Sequence, residues 1–156
     1  MFRYTRRQIL LHWGVAALVL MQFLFNEPMG QAFDRWMDQG QKVASGGVIL
    51  HIVTGVAIFV LVVWRLIIRR NAPKAPEEPG LLGMAAKLTH GLLYLLLLLL
   101  PLTGLAAWVG GIEAGAEMHE IGTTLLLVLI ALHVAAALYH QLVLKDGLLG
   151  RMRPGA

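Results

Sequence analysis

The sequence contains no cysteine. That absence excludes disulfides, thiolate metal sites, iron–sulfur clusters and covalently attached c-type haem. Six histidines are left as the main soft ligands, with seven methionines as weaker ones. Charge is scarce as well, at 14% of residues, where soluble domains average about 25%. With 58% hydrophobic residues and a mean hydropathy of +0.70, the chain reads as a membrane protein. Its 156 residues suit one domain, 1–156, with no room for a separate soluble catalytic module. Ser/His/Asp triads, P-loops and GxGxxG fingerprints are missing. Despite a pI near 9.9, nothing resembles a nucleic-acid module.

What the chain does have is long apolar runs. Four are placed near 8–26, 45–68, 83–109 and 118–144, and a hydrocarbon core of about 30 Å takes roughly 20 helical residues to cross. The third contains YLLLLLLPLTGL, where Pro101 is expected to kink the helix, with Gly104 three residues beyond. The first follows MFRYTRRQ and has the basic start of a signal peptide, but its apolar part runs seventeen residues and holds His12 and Trp13. That length and content favour a retained span. Loop 71–82, NAPKAPEEPGLL, reads as a solvated linker.

Basic residues fall on one side of this pattern. Arg3, Arg6, Arg7, Arg65, Arg69, Arg70, Lys74, Lys87, Lys145, Arg151 and Arg153 flank the termini and the second-to-third connection. The other two connections hold Arg35 and Lys42 with six acids, Glu27, Asp34, Asp38, Glu113, Glu117 and Glu120. The positive-inside rule then places both termini in the cytoplasm and the acidic loops outside. An all-α, four-helix transmembrane up-down bundle follows.

An ionisable residue within a span is costly and by default a functional hypothesis. A single histidine is equally well read as a packing device, so the set has to carry the argument. In the fourth segment His119 and His133 are fourteen residues apart, nearly four full turns, which puts them on one face about 21 Å apart. That spacing forbids a shared zinc, whose ligands lie about 2 Å from the metal, and suits two stacked cofactors. His12 in the first segment matches the depth of His133, and His51 in the second matches His119. Bis-histidine ligation from facing helices, with no open position, is how b-type haem is held for electron transfer. Gly47 and Gly55 flank His51 on its own face, where small residues fit either a flat macrocycle or close helix packing.

His140 competes with His133 for the inner level, but about 31 Å of helix separates it from His119, the full hydrocarbon thickness. His140 is therefore read as a residue near the inner site. His90 in KLTHGLLYLL lies on the same side, and both could donate to a quinone carbonyl or relay protons. Arg65 and Arg7, with Arg69, Arg70 and Lys87, are candidate partners of haem propionates or lipid headgroups.

These residues together resemble the bacterial four-helix cytochrome b561 family, which includes superoxide oxidase. It is related to the cytochrome b subunits of nickel–iron hydrogenases and formate dehydrogenases. The resemblance covers nearly the whole chain: HW in the first segment, the single histidine early in the second, WRLIIRR at its end, HGLLYLLLLLLPLTGL and HEIGTTLLLVLIALHVAAALYHQLVLKD. It implies two non-covalent b haems, one between His12 and His133 and one between His51 and His119, the pairs that depth selects. It also implies a bacterial inner membrane location and electron flow between a periplasmic donor and the quinone pool, with quinone near the cytoplasmic haem.

The expected function is a membrane dihaem b cytochrome transferring electrons between a periplasmic one-electron donor, superoxide among the candidates, and ubiquinone. The alternative is a cytochrome b anchor subunit serving a separate periplasmic redox enzyme. One departure bears on superoxide: an anion is steered by positive charge, and the outer loops carry six acids against two bases. Arg35 and Lys42 are the bases left to form a local patch.

Overall fold

The computed structural model describes residues 3–72 and 79–153, so Lys74 and most of the proline-rich connection lie outside the described residues. Those described are helical, with no strand among them. Helix α1 spans Arg6–Leu24, α2 Glu27–Gln39, α3 Gly46–Asn71, α4 Gly80–Gly110 and α5 Glu113–Tyr139. A π-helical turn, His140–Leu144, and a 3-10 turn, Leu149–Met152, follow. α1, α3, α4 and the fourth run, Glu113–Leu144, are each long and apolar enough to cross a membrane, so the protein is a multi-pass membrane bundle. Large apolar side chains such as Leu20, Val53, Val60, Leu95, Leu125 and Leu132 lie exposed around its girth, as a lipid-facing surface requires.

The helix ends follow from local chemistry. Thr5 opens α1 with a capping box, its hydroxyl accepting from the Gln8 N–H while the Gln8 side chain accepts from the Thr5 N–H. Ser45 caps α3 by accepting from the Val48 N–H. Gly40 (φ 67°) and Gly111 (φ 63°) close α2 and α4 in the left-handed region that glycine adopts without strain. α4 continues through Pro101 without losing its helical assignment.

Two differences from the sequence expectation stand out. The first outer connection is itself a helix, α2, with Met29, Phe33 and Trp36 turned toward the bundle and Asp34, Arg35 and Asp38 exposed. Hydropathy misses it because half of its surface is polar, although Pro28 in its first turn, apolar residues at i and i+4, and Gly40 behind it are start and stop signals. α5 begins at Glu113, five residues before the expected boundary. Its first turns carry Glu113, Glu117 and Glu120, acids that suit the positive end of a helix but lower the apolar signal.

α1 packs on α3, α3 on α4 and α4 on α5, while α2 lies on α3. α5 makes no comparable backbone approach to α1 or α3, so between them side chains meet across a cleft. At mid-height Val15, Val19, Ile58, Val62, Leu100 and Leu126 form one buried apolar cluster drawn from all four spans. At the end opposite the termini, called the outer end, Ala32, Val48 and Trp108 form a second, with Met29, Phe33, Trp36 and Ile52 packed against it.

Candidate functional site

The cleft holds histidines at two levels, above and below the mid-height apolar cluster. At the end bearing the termini, called the inner end, the rings of His12 on α1 and His133 on α5 have centres 6.3 Å apart, at 68° to one another. At the outer end His51 on α3 and His119 on α5 are 6.2 Å apart at 62°. An imidazole nitrogen lies about 2.0 Å from a metal it binds and roughly 1.1 Å from its own ring centre, so two rings trans across one iron have centres about 6 Å apart. Both pairs have that separation.

The surroundings of the outer pair fit a metal-bound imidazole. Nδ1–H of His119 donates to the Leu100 carbonyl at 2.9 Å, which fixes the tautomer and leaves the Nε2 lone pair available to a metal, the usual arrangement behind a coordinating histidine. A Cβ at Gly104 would lie 3.0 Å from Cε1 and Nδ1 of the His119 ring, inside ordinary van der Waals contact, so a side chain there would press on the imidazole. The Leu100 carbonyl precedes Pro101, and Thr103 Oγ1 also donates to it at 3.0 Å. The stretch LPLTG is thus a cradle for His119. His51 is held by its backbone: its carbonyl accepts from Gln22 Nε2 at 2.9 Å and from Thr54 Oγ1 at 3.2 Å. Its own Nδ1 is buried and has no hydrogen-bond partner among the described residues, a costly state for a polar atom with nothing to coordinate. Gly47 and Gly55 serve close approach, since a Cβ would meet Pro28 at 2.6 Å and Gln22 Nε2 at 3.3 Å respectively.

The inner pair has a third imidazole beside it. His90 on α4 lies 5.0 Å from His133, ring centre to ring centre, too close to be trans to it across an iron. His90 Nδ1–H donates to the Ala86 carbonyl at 2.7 Å. Sequence placed His90 on this side, and the structure brings it against the pair. The charge of Arg65 reaches all three rings. Its guanidinium donates from Nε to Tyr94 Oη and from Nη1 to the Gln8 carbonyl, both at 2.9 Å, tying α3 to α4 and α1. Arg7 is not part of this cluster; with Arg6, Thr5, Ile67, Ile68 and Asn71 it lines an open groove of about 560 Å³ between α1 and α3.

His140 stands apart from the three. It is buried in the π-helical turn, and its Nδ1–H donates to Asp146 Oδ2 at 2.6 Å. This bond holds the Asp146 carboxyl below the usual carboxylate range, opposed by partial burial and helped by the Leu148 N–H. No sequence signal beyond their six-residue spacing pointed to this pair.

At the outer end Lys42 is spent on the protein itself. Its ammonium lies 3.9 Å from the centre of the Trp36 ring and 5.2 Å from that of Trp108, and donates to the Trp108 carbonyl. Arg35 donates back along α2 to the Gln31 carbonyl at 3.1 Å. Both bases are exposed, and each donates to a backbone carbonyl. Phe33, Asp34, Glu113, Ala114, Ala116, Glu117 and Glu120 line a second groove of about 560 Å³.

A four-span apolar bundle with two histidine pairs at two levels, their ring centres 6.3 and 6.2 Å apart, is an architecture that suits a membrane cytochrome b. The family assignment agrees: residues 3–155 match the prokaryotic cytochrome b561 family, and the chain belongs to it. It is 42% identical over 151 residues to cytochrome b562 of Cereibacter sphaeroides, covering 96% of this chain and 94% of that one. It is 30% identical over 180 residues to the probable superoxide oxidase CybB of Yersinia pestis, covering 97% and 96%. Against cytochrome b561 homolog 1 of Escherichia coli it is 31% identical over 178 residues, covering 99% and 98%. Membership implies haem b as the cofactor and a bacterial membrane as the location.

Proposed function

We propose that the protein is a dihaem b cytochrome carrying electrons between a periplasmic one-electron donor and ubiquinone, with His12 and His133 holding one haem and His51 and His119 the other. The observation that carries this reading is the pair of ring separations, 6.3 and 6.2 Å, at two levels of one helix. When bound, haem b supplies reversible one-electron chemistry at an iron with no open position. The protein's part is to hold the rings, keep water from the mid-height apolar layer and set the charge at each end. Both termini face the cytoplasm, on the strength of the eleven basic residues on that side.

His90, tethered through Nδ1 to Ala86, has its other nitrogen left to hold or pass a proton at the inner end, where ubiquinone and protons meet. Arg65 keeps donors beyond the two it uses, and a propionate is their natural partner. Superoxide remains a candidate donor through the likeness to a protein named probable superoxide oxidase. The anchor-subunit alternative is favoured by one observation, the groove lined by Asp34, Glu113, Glu117 and Glu120, which repels an anion and suits a basic protein surface.

The test is the reduced-minus-oxidised spectrum and haem content of the purified protein, followed by superoxide-driven ubiquinone reduction. Two haems per chain are expected. A colourless preparation from a haem-sufficient host overturns the reading. Rapid quinone reduction by superoxide without a partner argues for the enzyme and against the anchor subunit.

A further inference from the structure

We infer that the C-terminal segment, residues 145–153, is a clasp that sets the ring of His12 against His133, and that Trp13 is the positioning residue through which it acts. This rests on the proposed assignment of His12 and His133 to one haem.

The need for a clasp comes from the packing. The helices carrying these two histidines, α1 and α5, approach each other far less than α1 approaches α3 or α5 approaches α4, yet a pair of axial ligands must be held to a fraction of an ångström and about 10–20° in orientation. The segment after α5 closes that gap. The π-helical turn ends at Leu144, and Lys145 adopts φ 52°, a left-handed conformation that reverses the chain. Asp146 is then the fastening point: its carboxylate accepts from His140 Nδ1 at 2.6 Å and from the Leu148 N–H at 3.0 Å, and its carbonyl accepts from Arg151 Nη2 at 3.4 Å. His140 lies seven residues beyond His133 on the same helix, so the segment is moored directly below that ligand. The 3-10 turn Leu149–Met152 carries the chain on to α1. There the Met152 carbonyl accepts from Trp13 Nε1 at 3.0 Å.

Trp13 is the residue after His12, and the two rings meet edge to face at 5.2 Å. Nearly half of Trp13 is exposed, at 48%, so packing alone does not fix its ring, and the bond to Met152 does. The circuit from His133 through His140, Asp146, Met152 and Trp13 to His12 is closed. Among the described residues the outer pair shows no such link, and its His119 is seated instead by Gly104 and Leu100.

The experiment compares the inner and outer haems of the full-length protein by electron paramagnetic resonance, which reads the angle between axial ring planes, and by redox titration. Trp13→Phe keeps a ring and removes the N–H; a chain ended after Gly147 removes the carbonyl and keeps the ring. Each is expected to broaden and shift the low-spin signal of the inner haem and to move its midpoint potential. The outer haem stays as in the unaltered protein, and the two changes combined add nothing beyond either alone. An unaltered inner signal in both variants, or equal changes in both haems, overturns the clasp. His12→Ala serves as the control: if it retains both haems, the ligand assignment itself falls, whereas loss of the inner haem there beside a silent Trp13→Phe removes the clasp alone.

Discussion

The two ends of the bundle hold histidine pairs of almost the same separation, 6.3 and 6.2 Å, in opposite electrical surroundings. The inner pair lies at the end where Arg65 bonds Gln8 and Tyr94, beside a third imidazole and with a groove lined by Arg6 and Arg7 nearer the termini. The outer pair lies under α2, with a groove lined by four acids nearby and its Lys42 stacked on tryptophan. If each pair held a haem as proposed, like ligation in unlike charge would separate two potentials on one scaffold, since a cation stabilises a reduced iron and a carboxylate an oxidised one. With haems in both pairs, this charge difference would favour electrons moving from the outer level to the inner one, as the proposed function requires.

The largest effects that would break this comparison come from the ligands. His51→Ala or His119→Ala is expected to lower haem content from two per chain to one and leave the inner spectrum intact, while His12→Ala or His133→Ala does the reverse. Pyridine-haemochrome quantitation of purified variants measures this. Loss of the inner haem on removing His90 or His140, with none on removing His133, would show the pairing to be wrong. Next is Gly104→Val, which forces bulk into the 3.0 Å space beside His119. Overpacking of this kind costs about 1–3 kcal/mol, so outer haem occupancy should fall in the same quantitation while the inner haem is retained.

These two tests also divide what the sequence discloses from what it hides. The four spans and the histidine levels follow from hydropathy and the 1.5 Å rise of a helix, because depth is linear in residue number. Spacing therefore favours His133 over His140 as the expected partner of His12, and their ring separation of 6.3 Å supports proposing that pair. Lateral contacts are not linear in sequence. Nothing in KLTHGLLYLL says that His90 turns toward His133, and nothing in LPLTG names His119 as the ring that Gly104 admits. The C-terminal bonds to Trp13 and His140 were hidden for the same reason, since Trp13 and Met152 lie 139 residues apart. Helix α2 was legible from its Pro28, Phe33 and Gly40 pattern, but an apolar-run reading passes over amphipathic helices.

A smaller effect sharpens the electrical half of the comparison. Arg65→Gln removes the cation near the inner level, and a unit charge about 10 Å away at an effective dielectric of about 20 contributes roughly 1.7 kcal/mol. Redox titration is expected to show the inner haem becoming harder to reduce by tens of millivolts, with the outer haem nearly fixed. The bonds to Tyr94 and Gln8 are lost as well, so thermal stability should drop in the same variant. Arg65→Lys separates the two effects, since lysine keeps the charge without the fork that reaches both partners.

The smallest expected effect concerns the fastening of the inner end. The Asp146 carboxyl is held below its ordinary range by the His140 N–H, so the folded protein binds its proton less readily than the unfolded chain does. A group of this kind contributes stability that is fully present above its unfolded value, near 3.9 for aspartate, and is lost as the pH falls through the lowered folded value. The difference in thermal midpoint between the unaltered protein and Asp146→Asn in detergent should therefore stay constant from about pH 7 to about pH 5 and shrink only below about pH 4. Asp146 is about one-third exposed, so solvent screening keeps the difference small. A midpoint difference that vanishes between pH 7 and pH 5 would mean that the titration of some other group governs the fastening.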